Sequence, residues 1–188
     1  METSIAKPRN KIHPYKFTLW VGIGSIVMMF AGLTSAYIVK RNQANWVPYD
    51  LPVAFWYSTI VILLSSFTLH LSAKAFKERA MLKYRRLLLA TLVLGVLFIL
   101  TQYIGFRDFW RAGMTMQANV SFSFLYVIIG LHLLHVIGGI ITLIIMSLKA
   151  ISTKSRNYSM VPVDLICTYW HFVDFLWIYL FIFLIMIK

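Results

Sequence analysis

His171 and Asp174 stand three residues apart inside the last apolar stretch of the chain. Residues at this spacing lie on the same side of a helix, so the imidazole and the carboxyl group would be neighbours there. Inside a membrane such groups need partners, and they could relay protons. They could also form a buried ion pair or hydrogen bond that fixes helix register. The register role is favoured, because the other acids fall in predicted loops and tails: Glu2, Asp50, Glu78, Asp108 and Asp164.

A second polar pair, His132 and His135, has the same spacing in the preceding apolar stretch. Neutral imidazoles bind iron, copper and zinc, and a haem b would need a further histidine at matching depth, such as His70 or His171. The alternative is a structural histidine that forms hydrogen bonds between helices. If the last two helices are antiparallel, His135 could also meet Asp174 across their interface. We predict that His132, His135, His171 and Asp174 are structural polar anchors, with no catalytic, cofactor or metal site in this chain.

Long apolar stretches must position these groups. The chain of 188 residues is 60% hydrophobic and only 13% charged, with a mean hydropathy of +0.77. A stretch of about 20 apolar residues is long enough to cross a bilayer as a helix. We therefore predict an all-α membrane protein, with a polar N-terminal tail at residues 1–16 and a single membrane domain at residues 17–188. Its five transmembrane helices are predicted at about 17–39, 52–73, 87–106, 123–148 and 165–187.

The net charge of +12 would indicate a nucleic-acid partner in a soluble protein. Here 13 of the 18 basic residues fall before helix 1 or in the predicted loops after helices 2 and 4, all on one side of the bundle. The positive-inside rule then places the N-terminus in the cytoplasm and the C-terminus outside. Anionic phospholipids, and no nucleic acid, are the expected partners of these charges.

Small residues mark the packing face of helix 2. One row contains Ser58, Ser65 and Ser72, at intervals of seven residues, and a second row lies beside it at Thr59, Ser66 and Ala73. Small side chains let helix backbones approach closely in a membrane, so this face is predicted to contact other helices. Helix 1 has a weaker row at Ser25, Gly32 and Ala36.

The exit of helix 3 is both charged and aromatic, with Arg107, Asp108, Trp110 and Arg111 close together. We expect either a solvated outer loop with an interfacial aromatic anchor or a contact with a partner subunit. The residues alone favour neither interpretation.

Four segments, in this order, resemble subunit III of the heme–copper oxidases in its short five-helix form. They lie at residues 55–68, 102–113, 123–139 and 169–177, so they are distributed along most of the chain. The resemblance implies a non-catalytic subunit without a redox centre, with haem and copper in partner chains. It implies binding to oxidase subunits I and II and to phospholipids, and a role in maintaining proton uptake. Lipid or interface contacts are expected at Trp170, Trp177, Arg107 and Arg111.

The function expected on this basis is that of subunit III of a proton-translocating cytochrome c oxidase in aerobic respiration. The complex would lie in a bacterial-type inner (plasma) membrane, and membership of a larger respiratory supercomplex is compatible with it. One feature departs from the family, since no acid precedes Phe30-Ala31-Gly32, where members often carry a buried carboxylate. This departure argues against direct proton handling by helix 1.

Three alternatives remain at this stage. The chain could belong to a quinol oxidase or serve as a nitric-oxide-reductase accessory protein, since the electron donor binds elsewhere. It could be a haem b membrane cytochrome that uses its own histidines. A transporter is disfavoured, because neither broken helices nor paired internal acids are evident in the sequence.

Overall fold

The computed structural model describes residues 14–42, 46–151 and 159–187. Five helices make up most of this part of the chain: α1 (Pro14–Arg41), α2 (Val53–Lys77), α3 (Met81–Arg111), α4 (Val120–Ile151) and α5 (Val161–Met186). Each is long and apolar enough to span a membrane, which confirms the five predicted helices and the all-α class. Most of the predicted polar tail lies outside the described residues, and its last three residues already belong to α1.

The helices extend further than the apolar stretches predict. Lys83, Arg85 and Arg86, expected in a loop, lie in the first turns of α3. Arg107 and Arg111 lie in its last turns, so the segment is helical where one of the two interpretations expected an outer loop. Long basic side chains can carry their charge to the membrane surface while their backbone stays helical, which is why charges do not mark the helix ends.

Tight turns close two helices. After α2, Arg79 has a left-handed φ of 58°, and the amide of Ala80 donates to the carbonyl of Ala75 at 2.9 Å. Gly113 has a φ of 76° at the end of α3, where Met114 donates in the same way to Phe109 at 3.0 Å. This is the Schellman arrangement, which satisfies carbonyls that a helix end leaves free. Because only three residues separate α2 from α3, the two helices form a tight antiparallel hairpin.

Helices α2 to α5 form a closed ring in which each contacts two neighbours, and α1 packs outside it against α4 and α5. Lys16 of α1 forms an ion pair with Asp164 of α5 at 3.0 Å, so these two helices begin at the same end of the bundle. At the opposite end, the hydroxyls of Tyr37 and Tyr49 share a hydrogen bond of 2.8 Å. Burial raises the pKa of Tyr49, which lies in the α1–α2 connection, so its hydroxyl stays protonated.

The small residues of α2 and those of α1 differ in burial. On α2, Ser58, Ser65 and Ser72 are completely buried, as predicted for a packing face. On α1, Ser25 and Gly32 are exposed, so the weaker row does not pack inside this chain as expected. The difference follows from the position of α1, which packs outside the ring and leaves much of its circumference uncovered, whereas α2 is part of the ring.

Candidate functional site: a polar seam between α2 and α5

Three side chains of α5 form hydrogen bonds with side chains of α2. We call this interface the polar seam; its residues are His171, Trp170 and Trp177 on α5 and Ser66, Ser65 and Thr59 on α2. His171 shares a hydrogen bond of 2.5 Å, through its Nδ1 atom, with the hydroxyl of Ser66. The indole N–H of Trp170 donates to Ser65 at 2.8 Å, and that of Trp177 donates to Thr59 at 3.0 Å. The two rows on α2 therefore supply hydroxyl groups as well as close packing. In a medium without water, each of these hydrogen bonds satisfies a donor that would otherwise be costly to bury.

Trp170 fills the centre of the bundle and is only 1% exposed. A Cβ atom added at Gly139 of α4 would lie 2.9 Å from carbons of the Trp170 ring, and one added at Gly95 of α3 would also lie 2.9 Å away. Together with the bond to Ser65, these approaches place the indole in contact with three other helices. The absence of side chains at the two glycines is what makes room for it.

Trp177 lies two turns further along α5 and is fully buried. Its ring stacks on His132 of α4, with centroids 5.1 Å apart, and Phe98 of α3 meets it edge-on at 5.3 Å. Lipid or partner contacts were expected at Trp170 and Trp177, but both rings lie inside the chain's own core. The indoles are buried because hydroxyl groups on α2 accept their N–H hydrogen bonds within the bundle.

The two histidines of α4 have different surroundings. His132 is completely buried, and neither ring nitrogen has a hydrogen-bond partner. The Nδ1–H of His135 donates to the carbonyl of Leu131 on its own helix at 2.7 Å, while its backbone carbonyl accepts from Tyr169 at 3.0 Å. The predicted meeting of His135 with the acid of α5 does not occur as a hydrogen bond, because both oxygens of Asp174 lack partners.

Asp174 lies on α5, one turn beyond His171, and is 3% exposed. Both of its oxygens are buried without a hydrogen-bond partner. The hydroxyl of Ser66, which lies beside the carboxyl group, is bonded to His171. Within the described ranges, no group of three or more His, Cys, Asp and Glu side chains is arranged to hold a metal ion. The roles of His132, His135, His171 and Asp174 as anchors stay predictions.

Gln102 is a buried polar residue that sequence reasoning missed as an anchor. It lies on α3, is completely buried, and donates from its side-chain amide to Ser58 at 3.0 Å. A lone amide in an apolar stretch was the available signal. The same α2–α3 interface contains a hydrogen bond of 2.9 Å between the hydroxyls of Thr68 and Thr91.

Arg107 and Arg111 are exposed at the end of α3 that is distant from the Lys16–Asp164 ion pair. Neither guanidinium forms an ion pair with any carboxylate in the described part of the chain. Both side chains are thus accessible at this end of the bundle, and their predicted contact with lipid or a partner subunit stays a prediction.

Comparison with known proteins gives one consistent match. The family described as "Cytochrome c oxidase subunit III" matches residues 16–187. A probable cytochrome c oxidase subunit 3 from Mycobacterium bovis is 30% identical, over 92% of this chain and 90% of the relative. The corresponding protein from Nocardia farcinica is 29% identical, over 96% and 97% of the two chains. Cytochrome c oxidase subunit 3 from Thermostichus vulcanus is 31% identical, over 95% and 91%.

The five helices and these bacterial relatives together identify an integral protein of the plasma membrane. The family match also covers all the helices that build the polar seam. It also includes the four segments at residues 55–68, 102–113, 123–139 and 169–177.

Proposed function

Since the chain belongs to the cytochrome c oxidase subunit III family, we propose that it is the non-catalytic subunit III of a heme–copper cytochrome c oxidase in aerobic respiration. Membership of the family implies association with other oxidase subunits, and we propose that these are subunits I and II. The observation that carries the proposal is the family match over residues 16–187. The chain would stabilise the catalytic subunit, bind phospholipid and support proton uptake.

Haem and copper would reside in the partner subunits. The use that this chain makes of its own histidines supports that assignment. His171 is bonded to Ser66, and His135 donates its Nδ1–H to its own helix. His132 is enclosed between Trp177 and Phe98. These side chains take part in helix packing, which is the behaviour expected of a scaffold subunit.

The orientation that we propose has the N-terminus in the cytoplasm and the C-terminus outside. Two described features support it. α1 and α5 begin at the same end of the bundle, and that end also contains the α2–α3 turn with its neighbouring basic residues, Lys74, Lys77, Arg79, Lys83, Arg85 and Arg86. Basic residues are concentrated on the cytoplasmic side of membrane proteins. We call the end at which α1 and α5 begin the inner end.

Lipid binding is supported by the outer surface of the bundle. Large apolar side chains are exposed along all five helices, and among the most exposed are Trp20, Met28, Phe67, Val93 and Phe175. A surface of this kind is covered by acyl chains or by other membrane helices.

Purification of the chain from its native membrane tests the proposal. A haem- and copper-containing subunit should accompany it, and the isolated chain should show no Soret absorption. A chain that leaves the membrane without such a subunit would refute the oxidase assignment. A Soret band that is lost in His135→Ala would instead identify a haem b cytochrome. A quinol oxidase or a nitric-oxide-reductase complex would be recognised by the absence of a copper-binding subunit II.

A further inference from the structure

His70 is an ionisable side chain on the outer surface of the bundle, at a depth where lipid is expected. It lies on α2, seven residues before the helix ends at Lys77, and its side chain is exposed. At about 1.5 Å per residue, the imidazole is about 10 Å from the inner end of α2. Because α2 has 25 residues, this position is inside the hydrocarbon region rather than among the headgroups.

Other polar groups lie beside it. The ring of His70 is 6.3 Å from that of His171, measured between centroids, and His171 is itself half-buried and bonded to Ser66. Lys74, one turn closer to the inner end on the same side of α2, is also exposed. We call these four residues, Ser66, His70, Lys74 and His171, the His70 face. It is a continuous polar strip in an otherwise apolar surface.

On the outer surface, the described part of the chain offers His70 and Lys74 no acidic partner. His70 forms no hydrogen bond within it, and Lys74 forms no ion pair. Asp164, at the same end of the bundle, is paired with Lys16. Asp174 lies beside Ser66, but it is buried within the bundle and does not reach the outer surface. Ionisable groups within a membrane normally face a protein interior, a cavity or one another, so a group from another molecule must cover the His70 face.

The chemistry of the strip selects the covering group. Two imidazoles and an ammonium can all donate hydrogen bonds, and all three can carry positive charge. A carboxylate accepts several hydrogen bonds and complements that charge. We infer that the His70 face binds a transmembrane helix of a neighbouring oxidase subunit, and that this helix presents an Asp or Glu side chain to His70. The inference rests on the proposed function, which supplies the neighbouring subunits.

Photocrosslinking in the assembled complex tests this contact without altering His70. A photoreactive amino acid is placed at Leu63, which lies two turns from His70 on the same side of α2 and is 46% exposed. The matched control is Leu64, which is 53% exposed but lies about 120° further around the helix from His70. We expect Leu63 to crosslink to another oxidase subunit, through a peptide that contains an Asp or Glu, and we expect Leu64 to yield no such adduct.

Substitution of His70 provides a second measurement. His70→Phe keeps a flat ring but removes the donors, so about fivefold less chain should be retained with the partner subunits after detergent extraction, the effect of losing one hydrogen bond in a membrane. His70→Gln keeps a donor and should recover most of that loss. Leu64→Ala is the control and should be retained like the unchanged chain.

The outcomes separate the inference from the proposed function. Crosslinks from Leu63 to lipid alone, or to a peptide without an acid, would overturn the inference even in an intact oxidase. Equal retention of His70→Phe and the unchanged chain would overturn it as well. If the unchanged chain brings no oxidase subunit with it, the proposed function itself fails.

Discussion

The indole of Trp170 occupies a space that glycines on two neighbouring helices leave open. Its ring carbons are close enough to Gly95 and Gly139 that an added Cβ would lie 2.9 Å from them at either position. A ring with no hydrogen-bond partner in that space could shift, but Trp170 is held by its bond to Ser65. At the scale of single residues, the packing of α3, α4 and α5 therefore depends on one large side chain, Trp170, and on two glycines that have no side chain to occupy its space.

Gly139→Ala should destabilise the bundle for this reason. The new methyl group would meet a rigid, buried indole, and overpacking of this kind typically costs about 1–3 kcal/mol. Gly130→Ala is the matched control, since it lies on the same helix and an added Cβ there meets no atom within 4 Å. Unfolding midpoints of the two variants in detergent measure the difference. Equal midpoints would show that Trp170 can move aside.

The hydrogen bond from Trp177 to Thr59 should contribute measurably to stability. A double-mutant cycle with Trp177→Phe and Thr59→Val isolates the pair, and we expect a coupling energy of about 0.5–1.7 kcal/mol, the range found for polar contacts between membrane helices. Unfolding free energies of the four proteins provide the measurement. A coupling energy near zero would mean that burial alone holds the indole in place.

The polar residues of α5 that stand out in the sequence could be named before the structure was known, whereas their partners could not. The three-residue spacing correctly puts His171 and Asp174 on one helix, but it does not determine which neighbouring helix they face. His171 turned out to meet Ser66 of α2. Trp170 and Trp177, expected at lipid, turned inward because hydroxyl groups on α2 were within reach of their N–H groups. Such pairings depend on which helices are neighbours in the bundle. The spacing of residues along one helix indicates which side of it they share, but not which helix lies opposite.

At the scale of elements, hydrogen bonds from α2 hold the two helices beside it, α3 and α5. α2 offers Ser58 to Gln102 and Thr68 to Thr91 on the α3 side. It offers Ser66 to His171 on the α5 side. α1, by contrast, contacts α4 and α5 but not α2. It bonds to α5 through Lys16 and Asp164 at 3.0 Å and through the hydroxyls of Thr34 and Tyr179 at 3.1 Å.

The five spans were predictable because uncharged apolar stretches of this length have few alternatives to a membrane helix. Their ends were not, because lysine and arginine tolerate the last turns of such helices. The turn at Arg79 illustrates the same limit. A left-handed residue after a helix is usually glycine, and nothing about an arginine indicates it.

The ion pair between Lys16 and Asp164 should contribute little to holding α1 in place. The two side chains are 42% and 36% exposed, and exposed ion pairs typically stabilise a protein by less than about 1 kcal/mol. Lys16→Met should therefore lower the unfolding free energy by less than that amount in low salt, and by less still in high salt. A loss of several kcal/mol would mean that the pair is shielded from water.

At the scale of the whole molecule, the described chain has a closed core and an open surface. The ring of α2 to α5 buries its aromatic and polar side chains, whereas α1 and the outer faces expose large apolar ones. A protein built in this way does not need a partner to fill its core, but it does need one or a bilayer to cover its surface. That division is consistent with the scaffold role expected of a subunit III.

Asp174 provides the sharpest distinction between a scaffold role and a relay role for the whole complex. Both of its oxygens lack hydrogen-bond partners in the described residues, and it lies one turn beyond His171 on the seam that leads to the His70 face. Asp174→Asn keeps the size of the side chain but removes its capacity to carry charge or release a proton. If the seam is an anchor, the substitution should reduce the yield of assembled oxidase more than it reduces oxygen consumption per assembled complex.

Both quantities can be measured on the same preparation, together with proton release from reconstituted vesicles. Ser25→Ala is a suitable control, because its exposed hydroxyl bonds within α1, to the carbonyl of Val21 at 3.1 Å, and α1 does not contact α2. Normal assembly of Asp174→Asn with abolished proton pumping would require the relay role instead. In that case the path would have to pass through Ser66 and His171, the polar groups that adjoin Asp174 on the seam, and His171→Phe should abolish pumping as well.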